Sequence, residues 1–216
     1  MLYDLSKTDS LISHYISEIR DVNIQNDRKR FRDNLHKIAA FIGYELSKTL
    51  EFETKQVKTP LGTAQCRTIK SAPVLATILR AGLAMHSGLL EAFDSADNAF
   101  ISAYRKHDDS GGFRIKLEYV SCPDLTGRVL IVSDPMLATG ASMVLTVKEL
   151  LKEHDPKEIH IVTAIAAEEG IEAVRKGLPD ATLWAAAVDP ELNDKAYIVP
   201  GLGDAGDLAF GPKIQN

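Results

Sequence analysis

Asp134 is followed within a few residues by Thr139, Gly140, Ala141 and Ser142, in the stretch V-L-I-V-S-D-P-M-L-A-T-G-A-S (129–142). Small and hydroxylated residues at a helix entrance leave backbone amides without intrahelical partners. The positive end of the helix dipole lies behind them, so a phosphate is the natural complement. A carboxylate beside such a turn repels a bare phosphate yet accepts hydrogen bonds from sugar hydroxyls, and a ribose phosphate answers both halves. A second candidate is Arg80 in L-R-A-G-L-A-M (79–85), and a third is Arg105 in the pair Tyr104-Arg105. A guanidinium ahead of a small-Gly turn can clamp a diphosphate with bidentate hydrogen bonds. Taken singly, Arg80 is more often a salt-bridged surface residue and T-G-A-S an ordinary capped turn. Their joint presence carries the reading.

These residues need a scaffold that brings distant turns to one edge. Val129 to Val132 are β-branched or aliphatic without a break, as in a strand covered on both faces, and V-L-T-V-K-E-L-L (144–151) repeats at helical spacing. Residues 27–50 place Phe31, Leu35, Ile38, Phe41, Ile42 and Leu46 on one stripe of a long amphipathic helix. Pro60 and Gly62 break the chain. From there the pattern predicts strands near 73–79, 98–104, 113–120, 128–133, 158–165 and 182–188, with helices over 82–93, 141–153 and 167–176. This alternation predicts an α/β fold with a mainly parallel, doubly wound sheet flanked by helices, right-handed crossovers, and the ligand at the carboxyl ends of the strands. The segment after 190 reads as irregular.

The whole chain narrows the classes further. Its 216 residues, 45% of them hydrophobic, suit a single domain over 1–216. No run approaches a membrane span, and the N-terminal residues lack a signal-peptide pattern, so a cytoplasmic protein with no membrane partner is expected. Cys66 and Cys122 have neither metal-ligand spacing nor a paired framework and are expected to be reduced. A net charge of −5 argues against a nucleic-acid surface. H-D-D-S-G-G (107–112) could suggest a metal site, but a polar loop ending in Gly-Gly is ordinary turn chemistry. His86, Met136 and Trp184 read as packing residues.

The stretch D-P-M-L-A-T-G-A-S resembles the phosphoribosyl-diphosphate motif of type I phosphoribosyltransferases, in the form of the uracil enzymes, where Pro135 and Ala138 replace the acidic residues of other members. I-L-R-A-G-L-A-M (78–85), T-P-L-G (59–62), L-N (192–193) and Y-I-V-P-G-L-G-D-A-G-D (197–207) extend the resemblance from about residue 27 to 213. It implies the type I fold with a hood built from N- and C-terminal segments. It also implies transfer of the 5-phosphoribosyl group from phosphoribosyl diphosphate to uracil, giving UMP and diphosphate, with Mg²⁺ on the diphosphate. By the same carry-over, Arg80, Arg105, Asp134, Pro135, Met136, Leu137, Ala138, Thr139, Gly140, Ala141, Ser142 and Asp204 bind phosphoribosyl diphosphate. Ile198, Gly203, Asp204 and Ala205 contact uracil, and Arg80, Arg105, Asp134 and Asp204 carry the chemistry. The resemblance further brings in a homodimer or higher homo-oligomer and GTP as an allosteric activator.

The chain departs from the family pattern at Ala84, Ser87, Ala141, Ala196 and Leu208 and across 106–118, where the uracil enzymes have a mobile hairpin. These departures keep two alternatives open: a non-catalytic, nucleotide-binding or regulatory homologue, and a transferase for another base.

Overall fold

The computed structural model describes residues 1–107 and 113–213. The chain begins with β1 (Leu2–Asp4), α1 (Leu11–Arg20), α2 (Arg28–Ser47) and the strand pair β2 (Phe52–Thr59) and β3 (Gly62–Ile69). It continues through β4 (Val74–Leu79), α3 (Leu83–Ala92), β5 (Asp97–His107), β6 (Phe113–Ser121), β7 (Val129–Ser133), β8 (Met136–Leu137) and α4 (Ala141–Leu150). It ends with β9 (Glu158–Ala167), α5 (Glu168–Gly177), β10 (Thr182–Asp189), β11 (Glu191–Leu192), β12 (Ile198–Val199) and α6 (Ala205–Phe210).

The main sheet has the order β1-β10-β9-β7-β4-β5-β6, with β8 paired to β9. Every pairing in it is parallel except β5 with β6. From β4 the chain moves to β5 and β6 on one side, then returns to place β7 on the other. The crevice at the carboxyl ends of β4 and β7 is therefore the topological switch point, where open α/β sheets bind ligands. The two strands are tied across their last residues: Thr77 pairs with Ser133, and the Ser133 hydroxyl donates to Ala76 O at 3.3 Å.

Alternation along these strands builds a core on each face. Leu75 and Ile131 face a layer containing Ile19, Phe31, Leu35, Ile38, Met85 and Ala209, which draws on α1, α2, α3 and α6. Val74, Ala76, Leu130 and Val132 face Met143, Val147, Ile171 and Val174 of α4 and α5. The stripe read on α2 is buried as expected except at Phe41, which is half-buried and stacks on Tyr15 of α1 with ring centroids 6.3 Å apart. Trp184 and His86 are packing residues: Trp184 stacks on Tyr3 and donates to His160 Nδ1, while His86 binds Asn98 Oδ1 at 2.8 Å.

The structure adds elements that hydrophobic patterning did not reveal. The break at Pro60–Gly62 is the tip of the two-stranded β2–β3 arm, with Thr59 paired to Gly62. β1 and α1 precede the long helix, and the tail after 190 contains the β11–β12 pair and α6. The N- and C-terminal segments pack together, with Arg32 Nη1 donating to Ala209 O at 2.6 Å. Cys66 and Cys122 are free thiols. Among the described residues, no helix is long and apolar enough to cross a membrane.

Candidate active site

The loop after β4 presents Arg80. Gly82 is required there, because a Cβ would overlap Thr77 Oγ1 and approach Ile78 O and Ser133 O to 2.8 Å. The turn can therefore press against the ends of both switch-point strands and still lead directly into α3. Arg80 Nη2 donates to Asp207 Oδ1 at 3.1 Å and to Gly211 O at 3.3 Å, which fastens the loop to α6 and the residues after it.

The loop after β7 presents Asp134. Its amide donates to Val162 O at 3.1 Å, and Pro135 O accepts from the Ile165 amide at 3.0 Å, so the turn is pinned to β9 on both sides of the carboxylate. Burial pushes the Asp134 carboxyl up to about 7. The Met136 amide, 3.2 Å from Oδ1, opposes the rise, and the negative charge of Asp204 adds to it. Asp134 and Asp204 thus share one electrostatic environment although they lie far apart in the sequence. A carboxylate poised near neutrality and sensitive to a second acid suits a group that must ionise to accept ligand hydroxyls.

The 138–142 turn has the geometry needed for an anion. Gly140 occupies the N-cap position of α4 at φ 73 and has no side chain to occupy the first-turn amides. A Cβ on Gly140 would meet Ala173 Cβ and Gly170 O at 2.9 Å. Ala141 is the first residue of the helix, with its amide 3.4 Å from Thr139 Oγ1. The left-handed backbone therefore falls on Gly140, and the departure at Ala141 leaves the amide in place. A methyl group in the first helical turn asks nothing unusual of the backbone.

The loop formed by the tail completes the crevice. Asp204 caps α6, its Oδ1 accepting from the Asp207 amide at 2.9 Å, and Lys213 Nζ lies 3.7 Å from its Oδ2. Gly203 has φ 95, is exposed, and would have nothing within 4 Å of a Cβ, so open space faces it. Ile198 and Ala205 are 3% and 2% exposed, with side chains in the core.

The chain meets its relatives at this level of detail. The family model described as uracil phosphoribosyltransferase matches residues 6–212. The chain belongs to the uracil phosphoribosyltransferase family. A uracil phosphoribosyltransferase of Porphyromonas gingivalis is 50% identical over 211 residues, covering 97% of this chain and 98% of that protein. One of Methanococcus maripaludis is 42% identical over 196 residues, covering 89% and 84%. A solved structure of a protein from Aquifex aeolicus superposes with a TM-score of 0.88 at 30% identity over the full length of both chains.

Several departures from the uracil phosphoribosyltransferase pattern lie in packing or turn positions rather than in the crevice. Ser87 donates to Ala84 O and contacts His36 Nδ1 at 3.1 Å, between α3 and α2. Ala84 is buried, and Leu208 is half-buried against the core on α6. Ala196, in the turn joining β11 to β12, has φ 60. Arg105 lies on β5, paired in register with Ile115, beyond the level where Ser102 meets Leu79 at the end of β4. Its side chain falls outside the described residues, as do residues 108–112. Two groups that sequence reasoning left without a role belong to the site's framework: Asp207, which holds Arg80, and the ion pair of Arg20 with Asp189. Asp207 stood in the quoted G-D-A-G-D segment, but only the fold shows what it faces.

Proposed function

We propose that this protein transfers the 5-phosphoribosyl group from 5-phospho-α-D-ribose 1-diphosphate to uracil, giving UMP and diphosphate. The observation that carries the reading is the meeting of the Arg80 loop, the Asp134 turn and the G-L-G-D-A-G segment at one switch point. The 5-phosphate is held on the amides and hydroxyls of 138–142, and ionised Asp134 accepts the ribose hydroxyls. Arg80 and Arg105 take the diphosphate. The bond from ribose C1 to the diphosphate oxygen breaks with its electron pair leaving on diphosphate, while uracil N1 forms the new bond to C1 and gives up its proton to solvent. Positive charge develops on the ribose ring, as in other glycosyl transfers, so positioning and stabilisation of the leaving charge supply the catalysis.

The donor set fits a magnesium ion brought in by the substrate. Asp134 and Asp204 are near enough to interact, and carboxylate oxygens are the donors that a magnesium ion takes. When bound, Mg²⁺ neutralises charge on the diphosphate, with Asp134 and Asp204 as the nearby carboxylates.

Uracil presents acceptor, donor, acceptor along O2, N3–H and O4, which main-chain amide, carbonyl and amide groups between Ile198 and Ala205 can meet. Cytosine reverses the last two and would leave buried polar groups unpaired, a discrimination on the order of 10⁴. The test is diphosphate release with Mg²⁺, phosphoribosyl diphosphate and each base. Turnover is expected with uracil and 5-fluorouracil and not with cytosine. Folded protein that binds nucleotide with no uracil-dependent release would instead support the non-catalytic alternative. GTP belongs to the proposal as an activator, and an unchanged rate on adding it to this assay removes it.

The proposal includes a homodimer. β2 is exposed from Phe52 to Lys58, and Leu61 at the arm's tip is 100% exposed. A lone two-stranded hairpin is marginal in water, so a second copy is the natural support for the arm.

A further inference from the structure

The loop that presents the base is held by an ion pair to which the reaction assigns no role. Arg20, the last residue of α1, directs Nη1 and Nη2 to the two carboxylate oxygens of Asp189 at the end of β10, at 2.8 and 2.7 Å. Nη1 also donates to Gly201 O at 2.9 Å, and the Gly201 amide donates to Asp189 Oδ2 at 2.9 Å. Both polar groups of Gly201 are therefore held by this single pair. Asp189 is 4% exposed. Removing such a pair from water costs much of what its attraction returns, so overall stability alone is a weak reason to bury it.

Its geometry suggests a more specific use. Gly201 lies between Ile198 and Gly203, has φ 57, and would place a Cβ against Ile198 O. Apolar packing can seat the side chains of Ile198 and Leu202, which are buried, but it does not orient peptide planes. A planar guanidinium fork bound to a fixed carboxylate does. We propose that Arg20 and Asp189 are positioning and specificity-determining residues for the base, holding the main chain of 198–205 so that its amide and carbonyl groups face uracil. This rests on the assignment of that segment to uracil. It makes α1, distant in sequence from every substrate motif, part of base selection.

The experiment compares wild type with Arg20→Lys, Arg20→Gln and Asp189→Asn. It measures KM for uracil, KM for phosphoribosyl diphosphate, kcat, the uracil-to-cytosine ratio and the melting temperature. A misplacement of about 1 Å can cost up to 10²-fold, so uracil KM is expected to rise on the order of tenfold in Arg20→Gln and Asp189→Asn. The uracil-to-cytosine ratio should fall. KM for phosphoribosyl diphosphate should rise less than uracil KM, since every ligand assigned to it except Asp204 sits on another loop, and Arg20→Lys, which keeps the charge, should recover part of the loss. If a single variant fails to fold, Arg20→Met combined with Asp189→Leu leaves no buried charge unpaired and decides in its place. Lowered melting temperature with unchanged uracil KM and unchanged base ratio would show a pin for α1 only and overturn the proposal. Absence of uracil turnover in wild type would instead sink the base assignment beneath it.

Discussion

Asp134 combines opposed demands in one side chain. Its folded pKa of about 7 exceeds the ordinary 3.8, so the folded protein holds more protons between those values, and ligand-free stability falls as pH rises through that window. In the proposed reaction ribose hydroxyls donate to the ionised form, so phosphoribosyl diphosphate should bind better as pH rises to about 7 and no better above it. Asp134→Asn is expected to melt higher than wild type at pH 8, to show a raised KM for phosphoribosyl diphosphate, and to lose the pH dependence that Asp134 contributes. Thermal melts and a pH series of kcat/KM check all three. Arg80 is held by Asp207 and Gly211 O at the crevice rim. Arg80→Ala or Arg105→Ala should cost about 2 to 4 kcal/mol in kcat/KM, by analogy with lost oxyanion donors, while UMP binding suffers less because UMP lacks the diphosphate. Ala196 is the opposite kind of residue, strained at φ 60 in the turn joining β11 to β12. Ala196→Gly should stabilise by about 1 kcal/mol and raise the melting temperature by about 2 to 4 °C, with kinetics unchanged.

Among the elements, the β7–α4 unit shows how a short turn divides its tasks. Gly140 takes the left-handed conformation, and α4 then begins at Ala141 with ordinary helical backbone. Gly140→Ala should therefore raise KM for phosphoribosyl diphosphate strongly and lower stability, since it adds both strain and contact with Ala173 and Gly170. Ala141→Gly should leave KM for phosphoribosyl diphosphate within about twofold, because the amide at 141 is supplied either way. Steady-state kinetics of the pair separate the two positions. The β4–α3 unit works similarly, with Gly82 letting the Arg80 loop lie against Thr77 and Ser133. α6 begins at the Asp204 cap, so one carboxylate both ends the loop after β12 and starts the helix whose Asp207 holds Arg80.

At the scale of the whole molecule, strand order brings the loops together. With β4 and β7 adjacent and their neighbours running outward in opposite directions, the loops at 80 and 134 open into one crevice, and the tail returns across the sheet to close it. Among the described residues the β2–β3 arm is largely exposed, with Ile69 at its base packed against the core. Deleting residues 53–68 is expected to convert a dimer into a monomer in analytical ultracentrifugation. A monomeric wild type, or a truncated protein that still sediments as a dimer, would remove the arm from assembly.

What the sequence alone determined was set by local physics. An unbroken apolar run marked the buried strand β7 and mostly apolar runs marked β4 and β9, the stripe from Phe31 to Leu46 marked α2, and the T-G-A-S and R-A-G segments marked turns whose backbone needs are local. The β2–β3 arm escaped because its exposed residues carry no inward-facing pattern, and β1 because three residues are too few to show a period. Only the tertiary structure showed that Asp134 feels Asp204, that Asp207 holds Arg80, and that Arg20 and Asp189 grip Gly201. Each of these joins groups far apart in the chain, and such contacts depend on strand order and helix packing, which no local window of sequence contains.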